Sequence, residues 1–334
     1  MSVQEEKRRF WDSPTERITG DDDAPHKSLF RHTETGIYYR IHRITTGRSK
    51  APIEIDQITD VHFNYCNETD LRNEELADTV QCRKWLAGAA SVQGIRNALK
   101  MARLADQIVI TGDTLDYLSE GAMELTQKEI WDVVPDALIC PGGHELTREM
   151  QTGKPDREPL EARRAVLESF WKHDMYYTSR VLGDTVLVCA MDNSCGLYLP
   201  CVAERLREDI RRAREMGWIL LLFQHEPIDT GRPEDEACPT LWECDGKVYN
   251  FRYCIGSARR NTDKSTAEVL SLIRENGDII RGIYCGHLHS AYYTEIPAFY
   301  TEDGEKKETV IPQYVLEGNP YNGQSGHVLR IIVE

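Results

Sequence analysis

The sequence predicts an α/β fold with a mixed β-sheet core. Short apolar runs alternate with helical stretches through the centre of the chain, which is typical of sheets whose strands are connected by helices. Near the C-terminus, strand-like runs follow one another directly, and Asp303-Gly304 lies where a tight hairpin turn would connect two of them. Parallel and antiparallel strands are therefore expected in the same sheet system.

The individual elements follow from the same periodicities. Tyr38–Ile44 alternates apolar and polar residues like an edge strand. The central strands are predicted at 53–58, 108–110, 137–140, 186–191, 219–223 and 279–285. The helices between them are predicted at 82–105, 121–133, 159–173, 202–216 and 265–276. The last strands are predicted at 294–300, 309–316 and 327–333.

The chain is predicted to form one main domain. Residues 1–35 are polar and are expected to be an N-terminal surface segment, whereas residues 36–334 are expected to be a single domain. The connection 228–264 is longer than most loops, and loops of such length are usually functional or disordered. It is a candidate lid over a site, and a solvated surface excursion explains its length equally well.

Composition and charge limit the classes of partner. The 334 residues carry a formal net charge of −15. Such a chain repels polyanions, so long nucleic acid is not expected to be a partner. A small phosphorylated substrate is compatible with this charge if bound metal ions offset it locally. The sequence does not indicate an oligomeric state.

The sequence also indicates a cellular location. No apolar run approaches the ~20 residues that span a bilayer, and no apolar segment follows the basic N-terminus, so neither membrane insertion nor secretion is expected. The ten cysteines include no C-x-x-C pair. Cys140, Cys189 and Cys285 lie in apolar runs, which is typical of buried thiols. A cytoplasmic protein is therefore expected.

Most of the central strand runs end in residue types that bind metal ions. In chain order the motifs are Asp60-Val61-His62, Gly112-Asp113-Thr114-Leu115-Asp116, Gly142-Gly143-His144-Glu145, Gln224-His225-Glu226 and Gly286-His287-Leu288-His289. In open α/β sheets, ligands bind outside the carboxyl ends of the strands, so these side chains are expected at one rim. Asp60 and His62 are expected to point to the same side because they are two residues apart on an extended chain.

The donor types predict which ions bind. Carboxylates and imidazoles without thiolates suit Mn, Fe, Zn or Co. The six candidate ligands exceed the number that one catalytic ion uses, because such an ion keeps a coordination position open. Two ions that share a bridging carboxylate fit the set better, and such a centre can bind phosphoryl oxygens and activate a water.

The order of these motifs resembles the calcineurin-like metallophosphoesterase superfamily. Each motif alone is weak, whereas five in this order between Asp60 and His289 are specific. The resemblance implies a four-layer sandwich of two mixed β-sheets flanked by helices. It also implies a hydrolase that cleaves a phosphomonoester or phosphodiester by attack of a hydroxide bridging two divalent or trivalent transition metal ions.

The resemblance assigns roles to individual residues. The implied ligands are Asp60, His62 and His289 for the first metal, His225 and His287 for the second, and Asp113 as the bridge. His144 would act as a general acid at the leaving oxygen or stabilise its charge. Asp116 would hydrogen-bond to His144 and fix its tautomer.

One position departs from the family pattern. The family's asparagine ligand of the second metal corresponds to Gly143, which has no side-chain oxygen. A water could take that place, or Asn193 or the substrate could supply the oxygen. The second metal could instead bind weakly or not at all, and the chain could be catalytically impaired.

Three functions remain open at the level of sequence. The first is a two-metal hydrolase of phosphate esters, and the second is a non-catalytic binding or regulatory protein on the same scaffold. The third is a hydrolase with a single metal, held by Asp60, His62, Asp113 and His289. The motifs do not define the substrate, because substrate choice depends on loops around a shared scaffold.

Overall fold

The computed structural model describes residues 3–21, 24–47, 51–83, 88–231, 241–244, 247–250, 254–257, 262–318 and 326–334. Its helices are α1 (Val3–Asp12), α2 (Glu74–Arg83), α3 (Gly88–Ala102), α4 (Glu120–Thr126), α5 (Gly143–Leu146), α6 (Glu149–Thr152), α7 (Leu160–Phe170), α8 (Pro200–Met216) and α9 (Lys264–Arg274). A π-helical turn, Gln127–Trp131, follows α4, and short 3-10 turns lie at Asp70–Arg72 and Ser194–Gly196.

The strands form two large sheets and one short hairpin. They are β1 (Thr15–Asp21), β2 (Ala24–His32), β3 (Tyr38–Ile44), β4 (Ile53–Ile58), β5 (Gln107–Thr111), β6 (Leu138–Cys140), β7 (Tyr177–Leu182), β8 (Val186–Met191), β9 (Ile219–Phe223), β10 (Leu241–Cys244), β11 (Lys247–Asn250), β12 (Ile280–Cys285), β13 (Tyr292–Glu302), β14 (Glu305–Val315) and β15 (His327–Val333).

Both large sheets are mixed. The first sheet has the order β1-β2-β3-β15-β4-β5-β6, and the second has the order β13-β14-β12-β9-β8-β7. Strands β4, β5 and β6 are parallel neighbours in the first sheet, as are β14, β12, β9 and β8 in the second. Parallel neighbours end at the same edge, so each sheet presents several strand ends together.

The two sheets pack face to face with helices on the outside. Apolar side chains from both sheets, such as Ile55 and Val109 from the first and Leu221 from the second, form one core between them. A second core lies between the first sheet and α3, and a third lies between the second sheet and helices α8 and α9. These four layers confirm the predicted sandwich of two mixed sheets flanked by helices.

Strand β3 is not the edge strand that its alternation suggests. It pairs with β2 on one side and with β15 on the other. Both faces of β3 are covered, because Tyr39 packs in the core beside α3 and Ile44 packs in the core between the sheets. The alternation of apolar and polar residues in the sequence carries no information about whether the strand's two edges are hydrogen-bonded, which is why the edge assignment was wrong.

The N-terminal residues are part of the first sheet, whereas the sequence predicted a surface segment for 1–35. Strands β1 and β2 extend that sheet outward from β3. His32 is buried, stacks on Phe10 at a ring distance of 4.0 Å and donates from Nε2 to the Phe10 carbonyl at 3.0 Å. The polar composition of this region agrees with the exposure of β1, in which residues 15–19 are all exposed.

About half of the candidate lid, 228–264, lies outside the described residues. Within it, the structure places the hairpin of β10 and β11 and a parallel bridge between Ile228 and Ile255. Among the helices that the structure describes, none is sufficiently long and apolar to cross a membrane.

Candidate metal centre

The candidate site lies at the carboxyl ends of β4, β5, β6, β9 and β12. Backbone hydrogen bonds continue past the strand ends and hold the loops in pairs. The His62 N–H donates to the Asp113 carbonyl at 2.8 Å, which ties the loops after β4 and β5. The Gly286 N–H donates to the His225 carbonyl at 2.9 Å, which ties the loops after β9 and β12. Side chains on these loops are thereby brought to one rim.

The first cluster of ligand-type residues contains Asp60, His62, Asp113 and His289. One donor atom from each lies within 4.8 Å of the donor atoms of the others. Nε2 of His289 is 3.1 Å from Oδ1 of Asp60 and 3.2 Å from Nε2 of His62. Asp60 and His62 are fully buried, and His289 is the partly exposed member. The structure thus brings together every residue that was predicted around the first metal.

The second cluster contains Asp113, His225 and His287, again with donor atoms within 4.8 Å of one another. Oδ2 of Asp113 is 3.2 Å from Nε2 of His225. The rings of His225 and His287 are 5.1 Å apart and nearly perpendicular. Asp113 belongs to both clusters, as a carboxylate that bridges two ions must.

Hydrogen bonds between the sheets orient these ligands. His225 belongs to the second sheet, and its Nδ1–H donates to the Thr111 carbonyl of the first at 2.8 Å, which leaves Nε2 directed at Asp113. The His287 N–H donates to Oδ2 of Asp60 across the same interface at 3.0 Å. Such outer hydrogen bonds fix the tautomer of an imidazole and the rotation of a carboxylate.

Five of the candidate ligands have left-handed backbone conformations. The φ angles are 47° at Asp60, 50° at His62, 47° at Asp113, 72° at His287 and 53° at His289. The extended chain expected for Asp60 and His62 is therefore absent, although the two side chains do meet. Non-glycine residues in this region cost of order 1–3 kcal/mol each and cluster at functional sites.

Glycines allow the loops to approach closely. A Cβ built on Gly142 would overlap Oδ1 and the backbone nitrogen of Asp113. A Cβ on Gly286 would overlap the side chains of Thr59 and Asp60. The glycines in the motifs are thus required by contact with the ligands themselves, as the sequence suggested.

The side chains of the site perturb one another's charge. Burial alone would raise the pKa of the Asp113 carboxyl, but His225, His144 and His62 hold this pKa well below its ordinary range. Burial alone would lower the pKa of His225, but Asp113 raises it to about 10. Burial instead lowers the pKa of His289. A metal ion held by Asp113 and His225 would therefore replace the proton that this pair shares.

His144 and Asp116 form a different contact from the one predicted. The His144 Nδ1–H donates to the backbone carbonyl of Asp116 at 3.0 Å and lies 3.3 Å from Oδ1 of its carboxylate. The shorter carboxylate contact goes to Nδ1 of His62, at 2.9 Å. Asp116 therefore orients the ligand His62 directly and His144 mainly through its backbone. Nε2 of His144 lies 3.9 Å from Oδ2 of Asp113.

Asn193 cannot supply the oxygen that Gly143 lacks. Its Oδ1 accepts from the N–H groups of His225 and Glu226 at 3.1 and 3.0 Å, and its Nδ2–H donates to the Glu226 carbonyl at 2.8 Å. The whole amide is therefore used to hold the loop after β9. The remaining alternatives for this position are a water, the substrate, a second metal that is weakly bound or absent, and an impaired chain.

No family model and no curated protein matches this sequence. Among solved structures, the chain is similar to a dimetal phosphatase from Danio rerio at 13% identity, covering 80% of this chain and 90% of that one, with a TM-score of 0.42. It is also similar to a purple acid phosphatase from yellow lupin seeds at 10% identity, covering 96% and 67%, with a TM-score of 0.43.

A third similar structure is a protein assigned as a 5'-nucleotidase from Staphylococcus aureus, in complex with alpha-ketoglutarate. The identity is 12%, the TM-score is 0.37, and the match covers 79% of this chain but 54% of that one. The chain thus spans about half the length of that protein.

The donor set fits two metal ions. Nε2 of His225 is buried and makes no hydrogen bond of acceptable geometry among the described atoms, which is the state expected of a metal-binding nitrogen. Sequence reasoning missed Arg83, which makes two hydrogen bonds to the Asp116 carboxylate. A lone arginine at the end of a helix carries no motif, so only the fold reveals this contact.

Proposed function

We propose that this chain is a metal-dependent phosphoesterase that hydrolyses a phosphomonoester or phosphodiester. The observation that carries the proposal is the shared carboxylate Asp113, which clusters with His62 of one sheet and with three histidines of the other, His225, His287 and His289. A single structural ion would not need a second pair of imidazoles beside this carboxylate.

The proposed metal ligands follow from the two clusters. Asp60, His62 and His289 would hold the first ion, His225 and His287 the second, and Asp113 both. Their oxygen and nitrogen donors suit Mn, Fe, Zn or Co. When bound, two such ions supply Lewis-acid activation of a water and neutralisation of phosphoryl charge.

His144 is proposed to act on the leaving group. Its Nδ1–H is held by the Asp116 carbonyl, and its ring is partly exposed, so Nε2 is available at the rim beside Asp113. From there a protonated Nε2 can donate to the departing ester oxygen. General acids in such positions contribute about 10²–10⁴-fold to rate.

The substrate is proposed to be small and phosphorylated. The net charge of −15 disfavours long nucleic acid.

Buried Cys140, Cys189 and Cys285 are free thiols, which supports the predicted cytoplasmic location.

Metal content and turnover test the proposal together. We expect the protein reconstituted with Mn, Fe, Zn or Co to hold two ions per chain and to hydrolyse p-nitrophenyl phosphate or bis-p-nitrophenyl phosphate. His144→Asn should retain the metals and lose about 10²–10⁴-fold in kcat. His173→Asn, which changes a histidine bound to the Ile139 backbone, should retain activity. A protein without metal or turnover after reconstitution would refute the proposal.

The alternative is a catalytically impaired chain on the same scaffold, and Gly143 motivates it. Substituting Gly143→Asn offers the second ion an amide oxygen. If the impaired chain is the correct description, this variant should gain turnover by orders of magnitude and bind its second metal more tightly. If the unmodified chain already turns over rapidly with two metals, the alternative fails. One ion per chain with full turnover would instead indicate a single-metal hydrolase.

A further inference from the structure

The carboxylate of Asp116 is surrounded by hydrogen-bond donors. Arg83 binds it with two groups: Nε donates to Oδ2 at 2.9 Å and Nη2 donates to Oδ1 at 2.5 Å. The Asn64 Nδ2–H also donates to Oδ2, at 3.0 Å, and the His62 Nδ1–H donates to Oδ1, at 2.9 Å. Asp116 and Arg83 are both buried.

These contacts determine whether the Asp116 carboxylate can bind an ion. His62, Asp116 and His144 have donor atoms close enough to surround an ion. However, both oxygens of Asp116 already accept two hydrogen bonds each, so an ion would have to displace buried donors. The group is therefore a hydrogen-bonded support for a ligand.

We propose that Arg83 is a positioning residue for the first metal. Arg83 acts indirectly, by holding the Asp116 carboxylate against His62. This inference rests on the proposed function, because it assumes that His62 binds a metal ion. The guanidinium fixes the plane of the Asp116 carboxylate, and that carboxylate fixes the ring of His62 through Nδ1. Nε2 of His62 is then directed at Asp60 and Asp113, each 3.8 Å away.

The chemistry of arginine suits this task. A guanidinium presents two parallel N–H groups that match a carboxylate, whereas the ammonium of lysine is a point charge on a flexible stem. The two hydrogen bonds prevent the carboxylate from rotating, which a single bond would allow.

Arg83 is itself anchored. It is the last residue of α2, and its carbonyl accepts from the Asn64 Nδ2–H at 3.0 Å. The same amide group binds Asp116, and Oδ1 of Asn64 accepts from the Tyr117 hydroxyl at 3.0 Å. The end of α2 is thus joined to the loop after β5, and among the described side chains Asp116 links Arg83 to His62.

The test compares Arg83→Met and Arg83→Lys with the unmodified protein. Metal affinity is measured by titrating the metal-free protein with Mn or Zn against a competing chelator. The values of kcat and KM are measured with p-nitrophenyl phosphate as the substrate. We expect Arg83→Met to weaken the first metal by about 10–100-fold, as removal of supporting hydrogen bonds does elsewhere. Arg83→Lys should recover only part of this loss, because lysine cannot replace the paired contact.

A control removes an arginine–carboxylate pair elsewhere, in which the arginine is half exposed whereas Arg83 is buried. Arg96 makes two hydrogen bonds of 2.6 Å to buried Glu129, and neither residue belongs to the clusters of the site. Arg96→Met should reduce thermal stability while leaving metal affinity and KM unchanged. If Arg83→Met behaves like Arg96→Met, its role is structural and the inference is wrong.

A double variant tests whether the effect passes through Asp116. In the Asp116→Asn background, Arg83→Met should cause little further loss of metal affinity, because residues that act through one contact are not additive. Full additivity would overturn the inference.

Crystal structures of the metal-free variants test the positioning role of Arg83 independently of metal binding. In Arg83→Met we expect the Asp116 carboxylate to rotate and its bond to His62 Nδ1 to be lost, whereas an unchanged bond would overturn the inference. If the unmodified protein binds no metal, the proposed function fails, and this comparison still shows whether Arg83 positions Asp116 and His62.

Discussion

The backbone of the ligand residues is the least expected feature at the scale of single residues. Asp60, His62, Asp113, His287 and His289 all adopt left-handed conformations. Asp and His tolerate this region better than β-branched residues do, although it still costs free energy. The fold therefore holds the candidate ligands in place before any metal binds. Metal binding is expected to offset part of the free-energy cost of the left-handed conformations.

Gly142 provides a direct test of this close packing. Its φ of −115° is open to any residue, but a Cβ would overlap Oδ1 and the backbone nitrogen of Asp113. Gly142→Ala should therefore displace the shared carboxylate. We expect both metals to be lost or weakened and kcat to fall by about 100-fold, as for other displacements of about 1 Å in a catalytic site. Elemental analysis and turnover measure the two effects.

The control for this substitution is Gly36→Ala. Gly36 has a φ of 71° and no atom within 4 Å of a built Cβ, so alanine there causes only backbone strain of about 1–2 kcal/mol. It should lower thermal stability and leave metal content unchanged. Retention of both metals in Gly142→Ala would show that the loop can move away from Asp113.

Protonation of His173 is expected to contribute to the pH dependence of the free energy of unfolding. Its Nδ1–H donates to the Asp174 carbonyl at 3.0 Å, and its Nε2 accepts from the Ile139 N–H at 2.9 Å. Protonation of Nε2 would break the second bond, and burial lowers the pKa of His173. The neutral ring thus stabilises the fold above the unfolded pKa of about 6.5. This stability should be lost as pH falls below that value.

The measurement for His173 is the free energy of unfolding between pH 7.5 and 5. In metal-free protein, His173→Asn should be less stable than the unmodified chain at pH 7.5, and the difference should shrink towards pH 5. A difference that stays constant or grows on acidification would contradict this assignment.

Sequence reasoning predicted that the candidate ligand residues lie close together but did not predict all of the contacts that support them. Asp60, His62 and Asp113 occur in short motifs whose order is specific, so their proximity could be expected without coordinates. The partner of Asp116 could not, because Arg83 comes from a different element and reaches the site only through tertiary packing. Left-handed conformations were missed for a similar reason, since they are imposed by loop closure and not by residue type.

At the scale of elements, strand positions were predictable and strand neighbours were not. The run 186–191 coincides with β8, and the turn at Asp303-Gly304 joins β13 to β14 as predicted. Neither alternation nor polarity reports which backbone groups pair, so β3 was assigned to an edge although it has neighbours on both sides. Pairing depends on how distant segments meet, and a local pattern does not contain that information.

Asn193 links two elements, and its removal should affect one metal more than the other. Its side chain makes three hydrogen bonds to the backbone of His225 and Glu226, which form the loop after β9. Asn193→Ala would leave the N–H groups of His225 and Glu226 without this acceptor, at about 1–3 kcal/mol each, whereas the Glu226 carbonyl would still accept from Gln224. We expect the loop to shift and the second metal, held by His225, to weaken while the first is retained.

A metal titration that resolves two steps would measure this difference. Asn276→Ala is a suitable control, because Asn276 is also mostly buried and also donates to a backbone carbonyl, that of Leu272, at 2.8 Å. Asn276 is in neither cluster, so this variant should lose stability without changing either step. Equal weakening of both metals by Asn193→Ala would indicate that the loop after β9 supports the whole centre.

At the scale of the whole molecule, the site joins the two sheets. Asp60, His62 and Asp113 follow strands of the first sheet, whereas His225, His287 and His289 follow strands of the second. Bound ions would therefore connect two halves that otherwise meet through an apolar core and a few hydrogen bonds, such as that from Gln57 to the Cys285 carbonyl. Metal binding should then stabilise the entire sandwich.

The melting temperature tests this coupling. A ligand at 100 times its Kd that binds only the folded state adds about 2.7 kcal/mol, which corresponds to a rise of about 4 °C for a chain of this length. We expect at least this rise when Mn or Zn is added to metal-free protein, and its reversal by a chelator. The variant that combines His287→Ala with His289→Ala lacks one ligand of each ion, so its melting temperature should respond little to metal. An equal rise in that variant would place the bound metal elsewhere, because the two sheets would then be stabilised without the histidines that connect them.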